Sequence, residues 1–573
     1  MFSEIITRSG WPEIFYRPHY GLYHPVTTGY IKLNFLLHQN DPVILHAENV
    51  ALHIVNSILV YRILRKLGFA GVIGFIIYLF HPLTSEVVFW LTSIKDLLFC
   101  LFSFASILLY ISFLENPSKK RRFLLSILFV ILALLSKIQA VFLPLVLMAI
   151  DYFYKRKLIN TRIITLIFSG LIATGLVIVN LHFRSLDSDL GPLPSLDFFT
   201  RIVVASRVFT EYFVTTILPL KLSVFYPSNF KNSISVFSLS SIYLLFPLIY
   251  SAGVMVALRK GNYILALILV TYAISLIPVL QFFQIREALR NDRYTYFSLF
   301  ALAFFSEYII KTVSSGSVFR IGFKIVVSAY IITLMMLFIL RVPLWSESRK
   351  LFIHSYNQYP QSAVLANTLG VIYLKQNDRD KALEYLDKAI YLAPDYSQAF
   401  YNRGLLFEKY KDKANAVISY NQALSNNQNY SDAAFRLSQL YFVSEDIDKA
   451  RNVLAGVGKQ YYNAPLFDLM GKIEYRKGNI EIAISYTKAA IKLDPSNEVY
   501  LYNYALALGS MGNLSEALQV LNKCIKINPS LAEAYYLRGI TKIKLGTNGC
   551  DDLNKSHTLG NPMAEKALKA FCN

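Results

Sequence analysis

Long apolar segments separated by short basic loops occupy residues 45–343 and restrict what this chain can fold into. A helix needs about 20 apolar residues to cross the hydrocarbon core of a bilayer, and fewer where it packs inside protein. We therefore predict a polytopic membrane domain of about ten spans. The predicted spans are 46–65, 68–80, 97–114, 123–136, 138–154, 163–181, 236–258, 263–280, 294–312 and 321–342.

Basic residues cluster on one side of these segments, because every cluster follows an odd-numbered span. The clusters are Arg62, Arg65 and Lys66; Lys119 to Arg122; Lys155 to Lys157; Arg259 and Lys260; and Lys311 with Arg320 and Lys324. Cytoplasmic loops of membrane proteins carry an excess of Lys and Arg, so we assign this side to the cytoplasm. The segments that then lie outside are residues 1–44, 80–96, 182–235, 281–293 and everything after 343.

One further apolar stretch, 202–219, is predicted to lie in the membrane interface or to re-enter it. It carries Arg207 and Glu211 and is preceded by Arg201. A spanning helix here would move every later basic cluster to the outside, which contradicts the charge pattern. We therefore do not count this stretch among the spans.

The flanks of the membrane domain are predicted to be short connecting structures. Residues 1–44 are rich in Tyr, Pro and His, which favours an extracytoplasmic loop with an interfacial helix at 26–37. Residues 344–359 separate the apolar region from the polar C-terminal region, and we interpret them as a hinge.

Composition agrees with a membrane protein. The chain is 54% hydrophobic and 16% charged, against about 25% charged residues in soluble domains. Residues 360–573 contain 25 basic and 21 acidic residues, so 32 basic and 16 acidic residues remain before them, a net charge of +16. This excess fits cytoplasmic loops, and no basic groove with interleaved aromatic residues indicates nucleic-acid binding.

The four cysteines do not indicate a metal site, since no CxxC spacing occurs. Cys100 lies in an apolar run, as expected of a small buried hydrophobic residue. Cys550 and Cys572 could form a disulfide if the C-terminus lies in an oxidising compartment.

Residues 360–573 contain a repeat of 34 residues, with a single spacing of 33 between the third and fourth units. Small residues mark the first helix of each unit at Gly370, Gly404, Ser438, Gly471, Ala505 and Gly539. The second helix is marked by Ala382, Ala416, Ala450, Ala483, Ala517 and Asp551. This pattern predicts an α-solenoid of six tetratricopeptide repeats whose last unit is an atypical cap.

Five motifs, taken in order, carry a resemblance to a known family. They are YRPHYGLYHPVTT at 16–28, HPLTSEVVFWLTSIKDLL at 81–98, LLSKIQAVFLPLVLMAIDYF at 134–153, DRYTYFSLFAL at 292–302 and LWSESRKLF at 344–352. With the repeats, the chain resembles the transmembrane and tetratricopeptide-repeat O-mannosyltransferase-like proteins of the glycosyltransferase C superfamily. Amino-acid usage rich in Tyr, Ile, Lys and Asn indicates an AT-rich bacterial genome and favours the inner membrane over the endoplasmic reticulum.

The resemblance implies an all-α membrane enzyme that transfers a sugar, possibly mannose, from a polyprenyl-phosphate carrier to an extracytoplasmic acceptor. A protein acceptor would be engaged by the repeats. The lipid-linked sugar is a substrate, and we expect neither a cofactor nor a divalent metal. Transfer would invert the anomeric centre if a carboxylate activates the acceptor directly.

Candidate site residues follow from these motifs and from the chemistry of a lipid phosphate. Glu86 and His81 are the candidate catalytic residues, with Glu86 paired with Lys95 or His81 as the structural alternative. Cations near the headgroup plane would hold the phosphate. The candidate substrate-binding residues are Arg17, Lys95, Lys137, Arg293 and Tyr294. For Arg293, pairing with Asp292 is the alternative, and for Lys137 the alternative is snorkelling.

Two features of the family have no match in this chain. Family members have a first span followed by an acidic motif that supplies the principal catalytic carboxylate, and neither has a match in this chain. We interpret this as N-terminal truncation. The alternative is a non-catalytic membrane-anchored scaffold for protein–protein interaction, and a lipid-carrier transporter is a third possibility.

Overall fold

The structure is a computed structural model that describes residues 11, 12, 14, 23–155, 167, 169–172, 174–179, 197–227, 239–282, 288–313 and 317–572. These residues are helical apart from turns, connecting segments and one isolated β-bridge between Pro227 and Ala288. The chain divides into two compact units, Met1–Pro360 and Gln361–Asn573. The predicted fold class, a helical membrane bundle followed by a tetratricopeptide solenoid, is confirmed.

The first unit packs its helices around one large apolar cluster that includes many aromatic side chains. Its α-helices are α1 (Pro25–His38), α2 (Pro42–Lys66), α3 (Val72–Phe80), α4 (Thr84–Phe89), α5 (Ile94–Glu115), α6 (Lys120–Ser136), α7 (Leu143–Lys155), α8 (Phe198–Ile217), α9 (Leu245–Arg259), α10 (Tyr263–Leu276), α11 (Leu299–Val313), α12 (Ser317–Arg341) and α13 (Ser348–Gln358). Short 3-10 helices cover Leu91–Ser93, Ile138–Phe142, Leu239–Leu244, Ile277–Val279, Asp292–Thr295 and Val342–Ser346.

Four helical segments are long and apolar enough to cross a membrane, judged by length and composition over the described residues. They are Pro42–Lys66, Leu91–Glu115, Ser241–Arg259 and Gly322–Ser346. Shorter apolar helices include Ile138–Phe153 and Tyr263–Val279. The figure of about ten spans therefore stays a prediction.

Several elements begin or end away from their predicted limits, for local reasons. The segment predicted at 68–80 contains only the nine residues of α3, because Gly68 and Gly71 adopt positive φ and interrupt the helix before it. The segment predicted at 294–312 begins as a 3-10 helix and becomes α-helical only at Leu299. Within the predicted hinge, 344–359, the chain forms α13 as part of the first unit.

The second unit is a series of paired helices. They are α14 (Ala363–Lys375), α15 (Arg379–Leu392), α16 (Ser397–Lys409), α17 (Lys413–Asn426), α18 (Ser431–Val443), α19 (Ile447–Ala455), α20 (Ala464–Arg476), α21 (Ile480–Leu493), α22 (Glu498–Met511), α23 (Leu514–Ile527), α24 (Ala532–Lys544), α25 (Cys550–Thr558) and α26 (Pro562–Phe571). Polar N-caps start several of them: the Asp378 and Asp412 carboxylates accept hydrogen bonds from backbone N–H groups three residues later.

The small residues of the repeat lie where the two helices of a unit touch. A Cβ atom added to Gly404 would lie 2.4 Å from the Tyr420 ring, which packs against this position from α17. At Ser438 the hydroxyl donates a hydrogen bond to the Ala450 carbonyl across the same kind of contact, at 2.5 Å. Close approach of the paired helices therefore explains the period that the sequence shows.

The last unit departs from the sequence pattern. Asp551, the sixth marker of the second helices, is exposed, and the helix contact is made instead by Gly539 with Gly549 and Leu553. Its neighbour Asp552 is buried and pairs with Arg538 and Lys542. The structure also joins Cys550 to Cys572 by a disulfide, as the sequence allowed.

Alanine substitutions at two helical glycines test this packing. Gly404→Ala should lower the free energy of unfolding of the repeats by about 1–3 kcal/mol, because the new methyl group overlaps Tyr420. Gly509→Ala is the matched control, since nothing lies within 4 Å of a Cβ atom there. The control should be neutral, or stabilising by up to about 1 kcal/mol. Equal effects of the two variants in urea unfolding would contradict the packing account.

Candidate active site

A short helix and a 3-10 turn bring the two strongest sequence candidates together. Glu86 lies on α4 and is 1% exposed, while Arg293 lies in the 3-10 helix Asp292–Thr295. The Arg293 Nη1 atom donates to Glu86 Oε1 at 2.5 Å, and the Arg293 backbone N–H donates to Oε2 at 3.1 Å. Both carboxylate oxygens of Glu86 are therefore held by the same residue.

Aromatic rings fix the guanidinium of Arg293 in this position. Its central carbon lies 4.8 Å from the centroid of the Trp90 ring and 5.3 Å from that of Tyr294. A planar cation gains electrostatic attraction from a ring face in addition to its hydrogen bonds. Trp90 thus contacts the guanidinium of Arg293. The segment before it, residues 81–88, is buried inside the first unit.

The surroundings of Glu86 favour proton uptake. Burial raises the pKa of the Glu86 carboxyl above its usual range, and the positive charge of Arg293 partly opposes this increase. A carboxylate with a raised pKa is a better proton acceptor near neutral pH than an ordinary one. Glu86 therefore has the properties of a general base, provided that a substrate can take over its partner.

A second ion pair lies beside the first. Lys137 pairs with Asp96, whose side chain is fully buried in the first turn of α5. The Lys137 Nζ atom also lies 4.7 Å from the centroid of the Tyr294 ring. Asp96 Oδ2 is buried and has no hydrogen-bond partner within the described part of the chain. The cations of Lys137 and Arg293 thus both lie near the Tyr294 ring.

A third group of charges surrounds Asp292. The Tyr226 hydroxyl donates to Asp292 Oδ1 at 2.7 Å, and Arg290 Nη1 lies 3.5 Å from the same atom. Burial raises the pKa of the Asp292 carboxyl, with Arg290 and Arg341 opposing the increase. Arg341 also donates to the Ser85 hydroxyl at 3.1 Å, which connects the end of α12 to α4.

His81 is part of the scaffold of this site. Its Nδ1 atom accepts a hydrogen bond from the Leu83 backbone N–H at 3.3 Å, so the neutral ring donates from Nε2 to the Thr216 carbonyl at 3.0 Å. Burial lowers the pKa of His81 to about 4. Because both ring nitrogens are engaged, the geometry favours a positioning role for His81, which holds the segment that carries Glu86.

The remaining candidate substrate-binding residues are Lys95 and Arg17. Lys95 is half-buried in the first turn of α5, next to Asp96. Arg17 lies outside the described residues. Over the described ranges, no group of three His, Cys, Asp or Glu side chains has the arrangement of a metal site.

Three residues of the polar network are not singled out by the sequence pattern: Tyr226, Arg290 and Arg341. Arg290 precedes Arg293 by three residues, and Arg341 ends the last predicted span. Both arginines lie next to an apolar segment on the predicted outer side. Charged residues at such positions are energetically costly and tend to have a specific partner, which is the feature of the sequence that points to them. Tyr226 has no such signal.

The first unit also contains an apolar cavity of about 350 Å³. Its walls come from α3, α8, α9, α10, α11 and α12, and include Ile77, Phe213, Tyr272 and Phe305. Thr216 lines the cavity with these residues, and its carbonyl accepts the hydrogen bond from His81. The segment that carries Glu86 is therefore joined to the wall of an apolar chamber.

Family comparisons match both units of the chain. Residues 24–183 match the family described as dolichyl-phosphate-mannose-protein mannosyltransferase. Residues 363–396, 397–430 and 510–546 match tetratricopeptide-repeat families. The predicted resemblance is confirmed.

Individual relatives are distant. The BBSome complex member BBS4 of Bos taurus is 26% identical over 178 residues, 31% of this chain and 34% of that protein. Protein O-mannosyl-transferase F38B6.6 of Caenorhabditis elegans is 29% identical over 140 residues, 23% of this chain and 19% of that protein. This chain thus spans about a third or less of both relatives. The crystal structure of YrrB, a TPR protein with an unusual peptide-binding site, aligns at 20% identity and a TM-score of 0.30, over 32% of this chain and 97% of YrrB.

The buried pair of Lys137 and Asp96 can be tested by stability measurements. Lys137→Met should lower the free energy of unfolding by about 3–5 kcal/mol, because it leaves a buried carboxylate without its cation. The double variant Lys137→Met/Asp96→Leu should recover most of this loss. Unfolding of the detergent-solubilised protein by denaturant would measure both.

The control is the exposed pair of Lys66 and Glu115 at the other end of α5, 2.5 Å apart. Lys66→Met should cost at most about 1 kcal/mol, since water solvates an exposed partner. A double Lys137/Asp96 variant that is no more stable than Lys137→Met would show that the pair does not carry the effect.

Proposed function

We propose that this chain is an integral membrane glycosyltransferase that transfers a sugar from a polyprenyl-phosphate carrier to an extracytoplasmic acceptor. Mannose is the candidate sugar, and protein is the candidate acceptor. One observation carries the proposal: a buried carboxylate, Glu86, is held by Arg293 in a chain whose residues 24–183 match a mannosyltransferase family.

The donor phosphate would exchange with Glu86 for the guanidinium of Arg293. A phosphate offers two oxygens to the same fork of N–H groups that a carboxylate uses. Lys137 lies near the same Tyr294 ring as Arg293 and would supply a second positive charge. Binding of the donor would then release Glu86 from its partner and leave it able to accept a proton.

Transfer would follow as a single displacement. The acceptor hydroxyl oxygen attacks the anomeric carbon of the sugar, and the bond between that carbon and the phosphate oxygen breaks. Glu86 takes the hydroxyl proton, and the polyprenyl phosphate leaves as an anion stabilised by Arg293 and Lys137. Direct attack inverts the anomeric centre.

The apolar cavity supports a lipid-linked donor. Its walls are almost entirely hydrocarbon and aromatic, which suits an isoprenoid chain and would exclude water from it. Its connection to His81 through Thr216 relates the carrier tail to the segment that holds Glu86. The phosphate at the head of the carrier would then meet the cations of the polar network.

The repeats would engage the acceptor on the extracytoplasmic side. The disulfide between Cys550 and Cys572 supports this location, because disulfides persist in oxidising compartments. A concave solenoid surface suits an extended protein segment. We place the protein in the bacterial inner membrane, with the endoplasmic reticulum membrane as the eukaryotic alternative.

A second candidate function is a non-catalytic scaffold that anchors the repeats to the membrane. The observation that favours it is that both oxygens of Glu86 already accept hydrogen bonds from Arg293. The pair would then be purely structural.

A transfer assay decides between these functions. The full chain in proteoliposomes is incubated with radiolabelled polyprenyl-phosphate mannose and membrane protein acceptors, and label in protein is counted. Glu86→Gln should lower the transfer rate by about 100-fold or more, since a general base contributes 10²–10⁴-fold. Glu115→Gln, which changes the ion-paired glutamate at the opposite end of α5, should keep the wild-type rate. Absence of transfer by the wild type, or full activity of Glu86→Gln, would favour the scaffold.

The pH dependence of transfer gives an independent prediction. Because burial raises the pKa of Glu86, activity should fall as the pH decreases through a value above the usual carboxyl range. Arg293→Gln removes the charge that opposes this increase, so the acidic limb of the kcat/KM profile should move to higher pH in the residual activity. Glu115→Gln should leave the limb in place. An acidic limb of the wild-type kcat/KM profile with its midpoint near pH 4 would contradict the assignment of Glu86 as the base.

A further inference from the structure

A second cavity in the first unit is charged. It has a volume of about 490 Å³ and is lined by α8, by the segment that follows α8 and by Arg290. Its lining includes Arg207, Lys221 and Arg290 against one carboxylate, Glu211, which leaves an excess of positive charge even though Arg290 also pairs with Asp292. Glu86, Arg293 and Lys137 do not belong to this lining, whereas Arg290 and Tyr226 are shared with the polar network around Asp292.

Glu211 forms ion pairs with two of the three cations that line this cavity. Its Oε1 atom accepts from Arg207 Nε at 2.8 Å, and its Oε2 atom accepts from Arg290 Nε at 3.2 Å. Arg207 makes no other hydrogen bond within the described ranges, so its two Nη groups remain available as donors. Arg290 is held more firmly, because it also stacks on the Tyr226 ring at 3.6 Å. A ligand would thus meet one fixed and one accessible guanidinium.

Lys221 adds a cation at the edge of the cavity. Its side chain is exposed and forms no ion pair with any residue that the structure describes. The excess of positive charge favours a ligand with negative charge, and guanidinium groups match the oxygens of a phosphate.

The rim of the cavity is apolar and exposed. Leu218 is 54% exposed and Leu220 is 66% exposed, and both line the cavity beside Lys221. They follow α8, which the charge pattern of the sequence places in the membrane interface. Cations next to exposed aliphatic side chains at that depth match a ligand with an anionic head and a hydrocarbon tail.

We propose that this cavity binds the phosphate group of a membrane lipid. Arg207 and Lys221 contact the phosphate oxygens, Glu211 holds the arginines in place, and Leu218 and Leu220 contact the first part of the hydrocarbon chain. The site goes beyond the proposed sugar transfer and does not depend on it. Two lipids carry the required chemistry: an anionic phospholipid and a polyprenyl phosphate.

Binding measurements on the full chain in neutral detergent test the proposal. Phosphatidic acid, polyprenyl monophosphate, phosphatidylcholine and inorganic phosphate are titrated separately, and bound ligand is counted by native mass spectrometry. The double variant Arg207→Gln/Lys221→Gln should lose about tenfold or more in affinity for phosphatidic acid. An equal loss for polyprenyl monophosphate assigns the site to any lipid phosphate, and a loss confined to one lipid assigns it to that lipid.

Matched variants separate this site from other effects. Arg259→Gln/Lys260→Gln removes an exposed Arg and Lys at the end of α9 and should change affinity less than twofold. Arg207→Lys keeps the charge and should keep most of the binding, which shows that loss in the Gln variant is not misfolding. Glu115→Gln should bind these lipids as the wild type does, and this result does not depend on whether sugar transfer is observed.

Two results would overturn the proposal. One is wild-type affinity of the folded Arg207→Gln/Lys221→Gln variant for both lipids. The other is binding of inorganic phosphate as tight as that of phosphatidic acid, which would make the ligand a soluble phosphate and leave the apolar rim without a role.

Discussion

The ion pair between Glu86 and Arg293 is the interaction on which the polar interior of the membrane unit depends. Removing two charges from water costs several kcal/mol for each, so neither would be tolerated here without the other. Trp90 and Tyr294 complete the surroundings of the guanidinium. The pair also connects distant parts of the fold, because it joins α4 to the 3-10 helix that carries Arg293, 207 residues after Glu86 in the chain.

Under the proposed function, the same pair would let a resting site become reactive. A carboxylate that is satisfied in the resting protein does not require a bound proton, and a guanidinium that is already oriented loses little freedom when a phosphate replaces the carboxylate. Lys137 with Asp96, and Arg290 with Asp292, repeat this arrangement nearby. Each cation is held by a carboxylate that an anionic ligand could displace. In the proposed function, an anionic ligand would therefore exchange with a carboxylate at one of these cations.

The repeats could be predicted from the sequence, while the pairing of charges in the candidate site could not. The repeat period reflects local contacts such as Gly404 with Tyr420, which recur in each unit. Glu86 and Arg293 are candidates because they lie in motifs shared with a family. The sequence does not predict that they pair with each other: Lys95 or His81 is the alternative partner for Glu86, and snorkelling or pairing with Asp292 is the alternative for Arg293. Which charges meet depends on the packing of distant helices, and no short-range pattern encodes it.

Exchange of the donor phosphate for Glu86 at Arg293 can be observed in a structure of the full chain with a non-transferable polyprenyl-phosphate sugar analogue, solved in a lipid nanodisc. We expect the phosphate within hydrogen-bond distance of Arg293, the pair with Glu86 broken, and the isoprenoid chain in the cavity lined by Phe213 and Tyr272. An intact pair of Glu86 and Arg293, with the analogue phosphate bound elsewhere, would contradict this exchange.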